Sequence, residues 1–112
     1  MDEAKTILRF ADATPAEANI YALGLQGELQ QFDGVAIERM RERQDTQDFG
    51  ATLVLILGTA SVTALARGIA SWLRRNSGAT IEITRSDGTR QKFTNLDSRD
   101  AAKIASAIKP NS

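Results

Sequence analysis

The 112-residue chain contains no cysteine and no histidine, and these two absences exclude much of the chemistry found in small proteins. Without cysteine, the chain has neither a disulfide framework nor a thiolate nucleophile. Without histidine, it lacks the usual general base near neutral pH, the usual activator of a serine nucleophile and the commonest transition-metal ligand. We therefore expect a protein that is not an enzyme and that binds no metal and no cofactor.

Phosphate-binding glycine patterns are also missing, because no stretch matches a P-loop or a dinucleotide-binding fingerprint. The acidic pairs Asp45/Asp48 and Asp97/Asp100 lack the additional oxygen ligands that a hard cation requires. We interpret these carboxylates as loop and helix-capping residues. The acidic start of the chain lacks the basic and apolar regions of a signal peptide, so a cytoplasmic location is expected.

The remaining composition is that of an ordinary globular protein, with 42% hydrophobic and 25% charged residues. We expect residues 1–112 to form one domain. The net charge is zero, but residues 1–50 hold ten acidic and five basic side chains (net −5), whereas residues 51–112 hold four and nine (net +5). Either the fold mixes these charges, or two faces of opposite sign favour head-to-tail self-association or an asymmetric partner.

The longest apolar stretch runs from Gly50 to Arg75 and contains no proline. We predict that it forms one long central helix packed on a sheet. Polar residues recur at helical spacing in its second half, which indicates an exposed stripe there. Its first half is apolar at every position, which predicts full burial; the residues are Leu53, Val54, Leu55, Ile56 and Leu57. Because residues 50–66 carry no charge, a lipid-inserting helix is the competing interpretation.

The rest of the chain predicts short strands and helices around that stretch. Thr14, Pro15 and Glu17 form a capping-box pattern that starts a helix reaching about Gln31. Strands are predicted over residues 5–10 and 35–43, followed by a polar loop over 44–48, and Asp97 or Ser98 is expected to cap a final helix to about residue 109. The predicted fold is α+β: a small mixed four-stranded sheet, in the order β-α-β-α-β-β-α, with the long apolar helix packed on it.

The hairpin around Asp87-Gly88 allows its register to be predicted. A three-residue loop over 86–88, with Gly88 left-handed, pairs Ile81 with Phe93 and keeps the apolar residues on one face. A two-residue loop would divide them between both faces. We therefore predict the three-residue loop.

Basic residues near this hairpin form the candidate interaction set, with the lone tryptophan as a possible anchor. These residues are Trp72, Arg74, Arg75, Arg85, Arg90 and Lys92. A solvated face or a protein-contact surface explains the cations better than nucleic acid does, because Glu82 interrupts them and no exposed aromatic residues lie between them. Trp72 falls on the apolar side of its predicted helix, which favours a core position over an interface anchor.

A series of short motifs covers much of the chain: Phe49-Gly50 before an apolar run, then Leu65-Ala66, Ile69-Ala70, Trp72 to Arg75, a strand, Asp87-Gly88 and a closing helix. This series resembles the effector-associated constant component family of bacterial conflict systems. The resemblance implies a non-enzymatic adaptor or scaffold that associates with a caspase-like or trypsin-like peptidase effector, or with a signalling ATPase, in antiphage defence or programmed death. A homo-oligomer is compatible with that role. The alternative is a membrane-disrupting effector whose helix, Gly50 to Leu73, inserts into lipid after activation.

Overall fold

The structure is a computed structural model that describes residues 5–40, 52–57, 62–85 and 87–109. The strands are β1 (Lys5–Ala11), β2 (Val35–Met40), β3 (Thr52–Leu57), β4 (Thr80–Thr84) and β5 (Arg90–Phe93). The helices are α1 (Pro15–Leu29), α2 (Val62–Arg75), a 3₁₀ helix (Asn95–Arg99) and α3 (Ala101–Ile108). The predicted strand end at 41–43, the polar loop 44–48, Phe49-Gly50 and Ser86 lie outside the described residues.

The strands form one antiparallel sheet in the order β2-β3-β1-β4-β5, with β2 and β5 at its two edges. The predicted α+β class is therefore confirmed, but the sheet has five strands rather than four and contains no parallel pair among the described strands. The fifth strand comes from the stretch for which we predicted the first half of a long helix.

Residues 52–57 form strand β3 and not a helix, so the prediction of a membrane-active helix over Leu53, Val54, Leu55, Ile56 and Leu57 is wrong. β3 lies between β1 and β2, with Leu53 and Leu55 completely buried and Val54 5% exposed. A central strand with apolar residues on both of its faces reads as a continuous apolar run. Within the described residues, no helix is long enough and apolar enough to cross a bilayer.

The predicted start of α1 is confirmed in detail. The Thr14 hydroxyl oxygen accepts a hydrogen bond from the Glu17 backbone N–H at 3.1 Å, and the Glu17 carboxylate accepts one from the Thr14 N–H at 2.9 Å. Pro15 is the first helical residue, where its missing N–H costs nothing. The capping box therefore satisfies two backbone donors that the first turn leaves unpaired.

The predicted hairpin register is also confirmed: Ile81 pairs with Phe93, Glu82 with Lys92 and Ile83 with Gln91. Gly88 has a φ of 91°, and its N–H donates to the Arg85 carbonyl at 2.9 Å. A residue with a side chain rarely adopts that φ, so glycine determines the loop length and, through it, the register.

The C-terminal helix begins later than predicted. Asp100, rather than Asp97 or Ser98, caps α3, with its carboxylate accepting a hydrogen bond from the Lys103 N–H. Thr94 and Asp97 instead form a capping box for the 3₁₀ helix. The buried residues of α3 are Ile104, Ala107 and Ile108.

The three described α-helices lie on one face of the sheet. Their buried residues join a cluster with the sheet residues that point to the same side, including Leu8, Leu55 and Ile81. α1 and α2 approach closely, because a Cβ built on Gly68 would lie 2.9 Å from Phe32 Cε2 and 3.1 Å from Leu29 Cδ2. α1 therefore covers the sheet with one side and packs against α2, which leaves its remaining side for solvent or a partner.

Candidate protein-contact surfaces

Trp72 lies in the core. Its side chain is 3% exposed, and its ring centroid is 5.8 Å from that of Phe10 and 5.7 Å from that of Tyr21. The Tyr21 contact is edge-on, a favourable geometry for aromatic pairs. The core interpretation of Trp72 is thus confirmed, and the folded chain does not offer this ring as a surface anchor.

Arg74 and Arg75, the last residues of α2, contact different neighbours. Arg74 Nη1 donates to the Ser98 carbonyl at 3.3 Å, which ties α2 to the 3₁₀ helix. Arg75 forms a salt bridge with Glu28 of α1 and donates to the Ser71 hydroxyl at 3.0 Å. Both cations also lie where the C-terminal helix dipole favours positive charge. These two arginines have intramolecular roles that account for their presence.

Arg85 lies on the helix-covered side of the sheet, since it follows Ile81 and Ile83 at strand spacing. Its Nη1 donates to the Ser106 carbonyl of α3 at 3.4 Å, and its Nη2 lies 3.3 Å from the Asp87 carboxylate. The pKa of Asp87 is lowered, first by the hydrogen bond from the Thr89 backbone N–H, then by the Thr89 hydroxyl, and also by the Arg85 charge. Arg85 therefore closes the hairpin tip against α3.

Arg90 and Lys92 lie on the opposite, outer face of the sheet, and both are exposed on the edge strand β5. Glu82 is directly across the strand pair from Lys92. The six candidate interaction residues thus do not form one basic patch: Arg90 and Lys92 remain together at the sheet edge, and the other four lie in the core, at the end of α2 or under the hairpin tip.

A shallow open groove of about 460 Å³ lies at the β5 edge of the sheet, next to the 3₁₀ helix and α3. Its lining residues are Gln91, Lys92, Phe93, Asp97, Lys103 and Ser106. Phe93 is the buried apolar residue of its lining, and the charged residues are Lys92, Lys103 and Asp97. The groove therefore combines an apolar residue, charged residues of both signs and the edge of a strand.

α1 carries a second surface, which we call the α1 stripe: Ala16, Ile20, Leu23 and Gly27. All four residues are exposed, with Ile20 at 67% and Leu23 at 54%. Their spacing of four, three and four residues places them on one side of the helix. The other side of α1 buries Ala18, Ala22, Leu25 and Leu29 in the core. α1 is thus apolar on two sides, of which the fold uses one.

The charged residues of α1 and of the segments next to it in sequence are acidic. Within α1 the charged residues are Glu17 and Glu28, and Asp12 and Asp33 lie close to its two ends in sequence. Glu28 is engaged by Arg75, so Glu17, Asp12 and Asp33 supply most of the local negative charge. A partner for this surface would need an apolar centre and a basic rim.

Within the described part of the chain, no group of three or more His, Cys, Asp or Glu side chains is positioned to hold a metal ion.

The model of the family Effector Associated Constant Component 1 matches residues 13–109, well over half of the chain. The chain belongs to this family. No curated protein and no solved structure matches it.

Membership of the Effector Associated Constant Component 1 family confirms the resemblance seen in the sequence. The matched segment begins just before α1 and ends just after α3, so it contains both the α1 stripe and the β5 edge. Sequence reasoning had assigned no role to Ile20 and Leu23. Apolar residues on two sides of one helix were the available signal.

Proposed function

We propose that this protein is a non-enzymatic adaptor of a bacterial antiphage or programmed-death system, which docks a caspase-like or trypsin-like peptidase effector through the α1 stripe. Family membership supports association with an effector. The observation that carries the docking surface is the exposure of Ile20 and Leu23 on a helix whose other side already fills the core. Residues 1–112 act in the cytoplasm as one domain.

The α1 stripe has the composition of an interface centre rather than of an ordinary helix surface. Burying an Ile or Leu side chain contributes about 1.5–3 kcal/mol when it passes from full exposure to full burial. Ile20 and Leu23 are 67% and 54% exposed, so about half or more of that gain is still available on binding. Gly27, where an added Cβ would meet nothing within 4 Å of this chain, lets a partner backbone approach closely.

The acidic surroundings of the α1 stripe define the complementary partner. Glu17, Asp12 and Asp33 would attract a surface with lysines or arginines around an apolar centre. Such charges mainly raise the association rate and select the partner, whereas apolar burial provides most of the affinity. A peptidase effector, or the signalling ATPase that controls it, is expected to present a surface of this kind.

Co-purification of the chain with the peptidase effector of the same system tests the proposal. Leu23→Glu places a charge in the centre of the α1 stripe and should abolish co-purification. Ala102→Glu is the matched control, because Ala102 is also exposed on a helix, on α3, and receives the same charge. Effector binding that survives Leu23→Glu as well as it survives Ala102→Glu would refute docking through α1.

A further inference from the structure

The two edge strands of the sheet, β2 and β5, each have a side on which no described strand pairs. Edge strands present rows of N–H and C=O groups that can pair with another chain. Natural proteins restrict such pairing through the charges they place on each edge. On the outer face of the sheet, β2 carries Glu38 whereas β5 carries Arg90 and Lys92, and this difference in sign favours one mode of pairing.

The free backbone groups of β5 belong to Arg90 and Lys92. The Arg85 N–H donates to the Thr89 carbonyl at 2.9 Å, so Arg85 and Thr89 form a hydrogen-bonded pair. Hydrogen-bonded and non-hydrogen-bonded pairs alternate along antiparallel strands. Arg90, opposite Thr84, and Lys92, opposite Glu82, are therefore non-hydrogen-bonded and point their N–H and C=O groups away from β4.

The side chains beside these edges are complementary. Glu38 of β2 and Arg90 of β5 lie on the same outer face of the sheet, joined by the cross-strand row Glu38–Val54–Ile7–Thr84–Arg90. Both end residues are exposed. On the helix side, β2 carries the half-buried Val35, Ile37 and Arg39, and β5 carries the buried Phe93, which lines the groove.

We infer that the β2 edge of one copy pairs with the β5 edge of a second copy, which continues the sheet from one molecule into the next. This pairing places Glu38 beside Arg90 or Lys92 on the outer face and Val35 and Ile37 beside the groove. Four antiparallel strand pairs connect β2 to β5 across the sheet, so β2 and β5 run in the same direction. The new pair is therefore parallel when the helices of both copies stay on the same side.

The alternative edge pairings between two copies are disfavoured by charge. Pairing β5 with β5 places Arg90 and Lys92 against the same cations of the other copy, and like charges across a strand pair are destabilising. Pairing β2 with β2 offers Glu38 no cation on the outer face, where the other residues of β2 are Ala36 and Met40. Because β2 and β5 are different surfaces, their contact leaves one free edge at each end and the assembly can extend beyond a dimer.

Charge exchange between the two edges tests this inference by light-scattering mass on a sizing column at low salt. Glu38→Lys and Arg90→Glu should each lower the mass of the wild-type assembly to that of the monomer. In an equimolar mixture, the β2 edge of the Glu38→Lys variant can pair with the β5 edge of the Arg90→Glu variant. The β2 edge of the Arg90→Glu variant and the β5 edge of the Glu38→Lys variant keep their wild-type charges. Opposite charges therefore meet at both kinds of junction. The mixture should therefore regain the wild-type mass.

A second experiment separates the loss of a backbone hydrogen bond from the loss of the Arg90 charge. Arg90 is the first residue of β5 and its N–H points away from β4, so Arg90→Pro should leave the hairpin intact while removing one outward donor. We expect Arg90→Pro to lose more association than Arg90→Ala. Thermal unfolding of each variant verifies that the fold persists.

Self-association through β2 and β5 is independent of effector docking through the α1 stripe. Leu23→Glu on α1 should therefore leave the mass of the assembly unchanged. A wild-type chain that stays monomeric at low salt and high concentration would overturn the inference. So would association that is insensitive to Arg90→Pro, or a mixture of charge variants that remains monomeric while wild type assembles.

Discussion

Gly24 of α1 lies directly against the indole ring of Trp72, and a Cβ built at position 24 would be 3.1 Å from the Trp72 Nε1 atom. Trp72 is held in place by Phe10 and Tyr21, with ring centroids 5.8 and 5.7 Å away. The indole therefore has little room to move aside. The helix tolerates a glycine at this position because the contact between α1 and α2 requires it.

Gly24 and Gly27 are expected to respond differently to alanine. Gly27→Ala should stabilise the protein by up to about 1 kcal/mol, because alanine favours the helix and an added Cβ meets nothing within 4 Å. Gly24→Ala gains the same helix propensity but compresses the Trp72 contact, so we expect no net gain or a loss. Urea unfolding of both variants measures the difference, and equal stabilisation would contradict the packing described for Trp72.

The capping box of α1 should contribute measurably to stability. Thr14→Ala removes the hydroxyl that accepts the Glu17 N–H, and it should lower the free energy of unfolding by about 0.5–2 kcal/mol. Thr14→Ser keeps the acceptor and serves as the control. A Thr14→Ala variant as stable as Thr14→Ser would show that the capping bond does not form in solution.

Strand β3 can be distinguished from a helix by the unequal burial of neighbouring residues. Leu55 is completely buried on the helix-covered face, whereas Ile56 is half-buried on the outer face. Leu55→Ala should cost about 2–5 kcal/mol of unfolding free energy, and Ile56→Ala should cost clearly less. Denaturant unfolding checks both values. Similar losses at the two positions would indicate that the segment is not a strand with alternating faces.

The hairpin tip should become less stable in acid. The pKa of Asp87 in the folded chain lies below its ordinary value of 3.8, because the Thr89 N–H and hydroxyl and the Arg85 charge favour the carboxylate. The stabilisation is therefore present above pH 3.8 and is lost as the pH falls through the lower folded-state pKa. Asp87→Asn should lose this part of the pH dependence. An identical acid-unfolding profile for Asp87→Asn and wild type would exclude the contribution.

Local signals in the sequence were sufficient for the elements that depend on local chemistry. The capping box starting at Thr14 and the left-handed position of Gly88 each require particular residues at particular spacings. The register of β4 and β5 followed because a shift of one residue would have separated Ile81 from Phe93. These features depend on few distant contacts, which is why the sequence alone predicts them.

Strand β3 and the α1 stripe could not be derived in the same way. A run of apolar residues such as 53–57 has no period, so it fits a buried helix as well as a central strand. The pairing of β3 with β1 and β2, which decides between them, is a tertiary contact. Gly58 and Ser61, typical turn residues, were the sequence signal for a break between β3 and α2.

The candidate basic patch failed for a related reason. Strand alternation places Arg85 and Arg90 on opposite faces, and this follows from the same register that predicted the hairpin. The contact between Arg75 and Glu28 depends on how α1 packs against α2, which the sequence does not reveal. Which surface of α1 remains exposed depends on the same packing.

The affinity of the chain for the proposed peptidase effector, measured by titration calorimetry, tests the adaptor role most directly. We predict saturable binding by wild type and by Ala102→Glu, and at least about a tenfold weaker affinity for Leu23→Glu, which corresponds to a loss of about 1.4 kcal/mol. Binding of all three proteins with equal affinity would contradict docking through the α1 stripe. No binding of the wild-type chain to the effector would contradict the adaptor role itself.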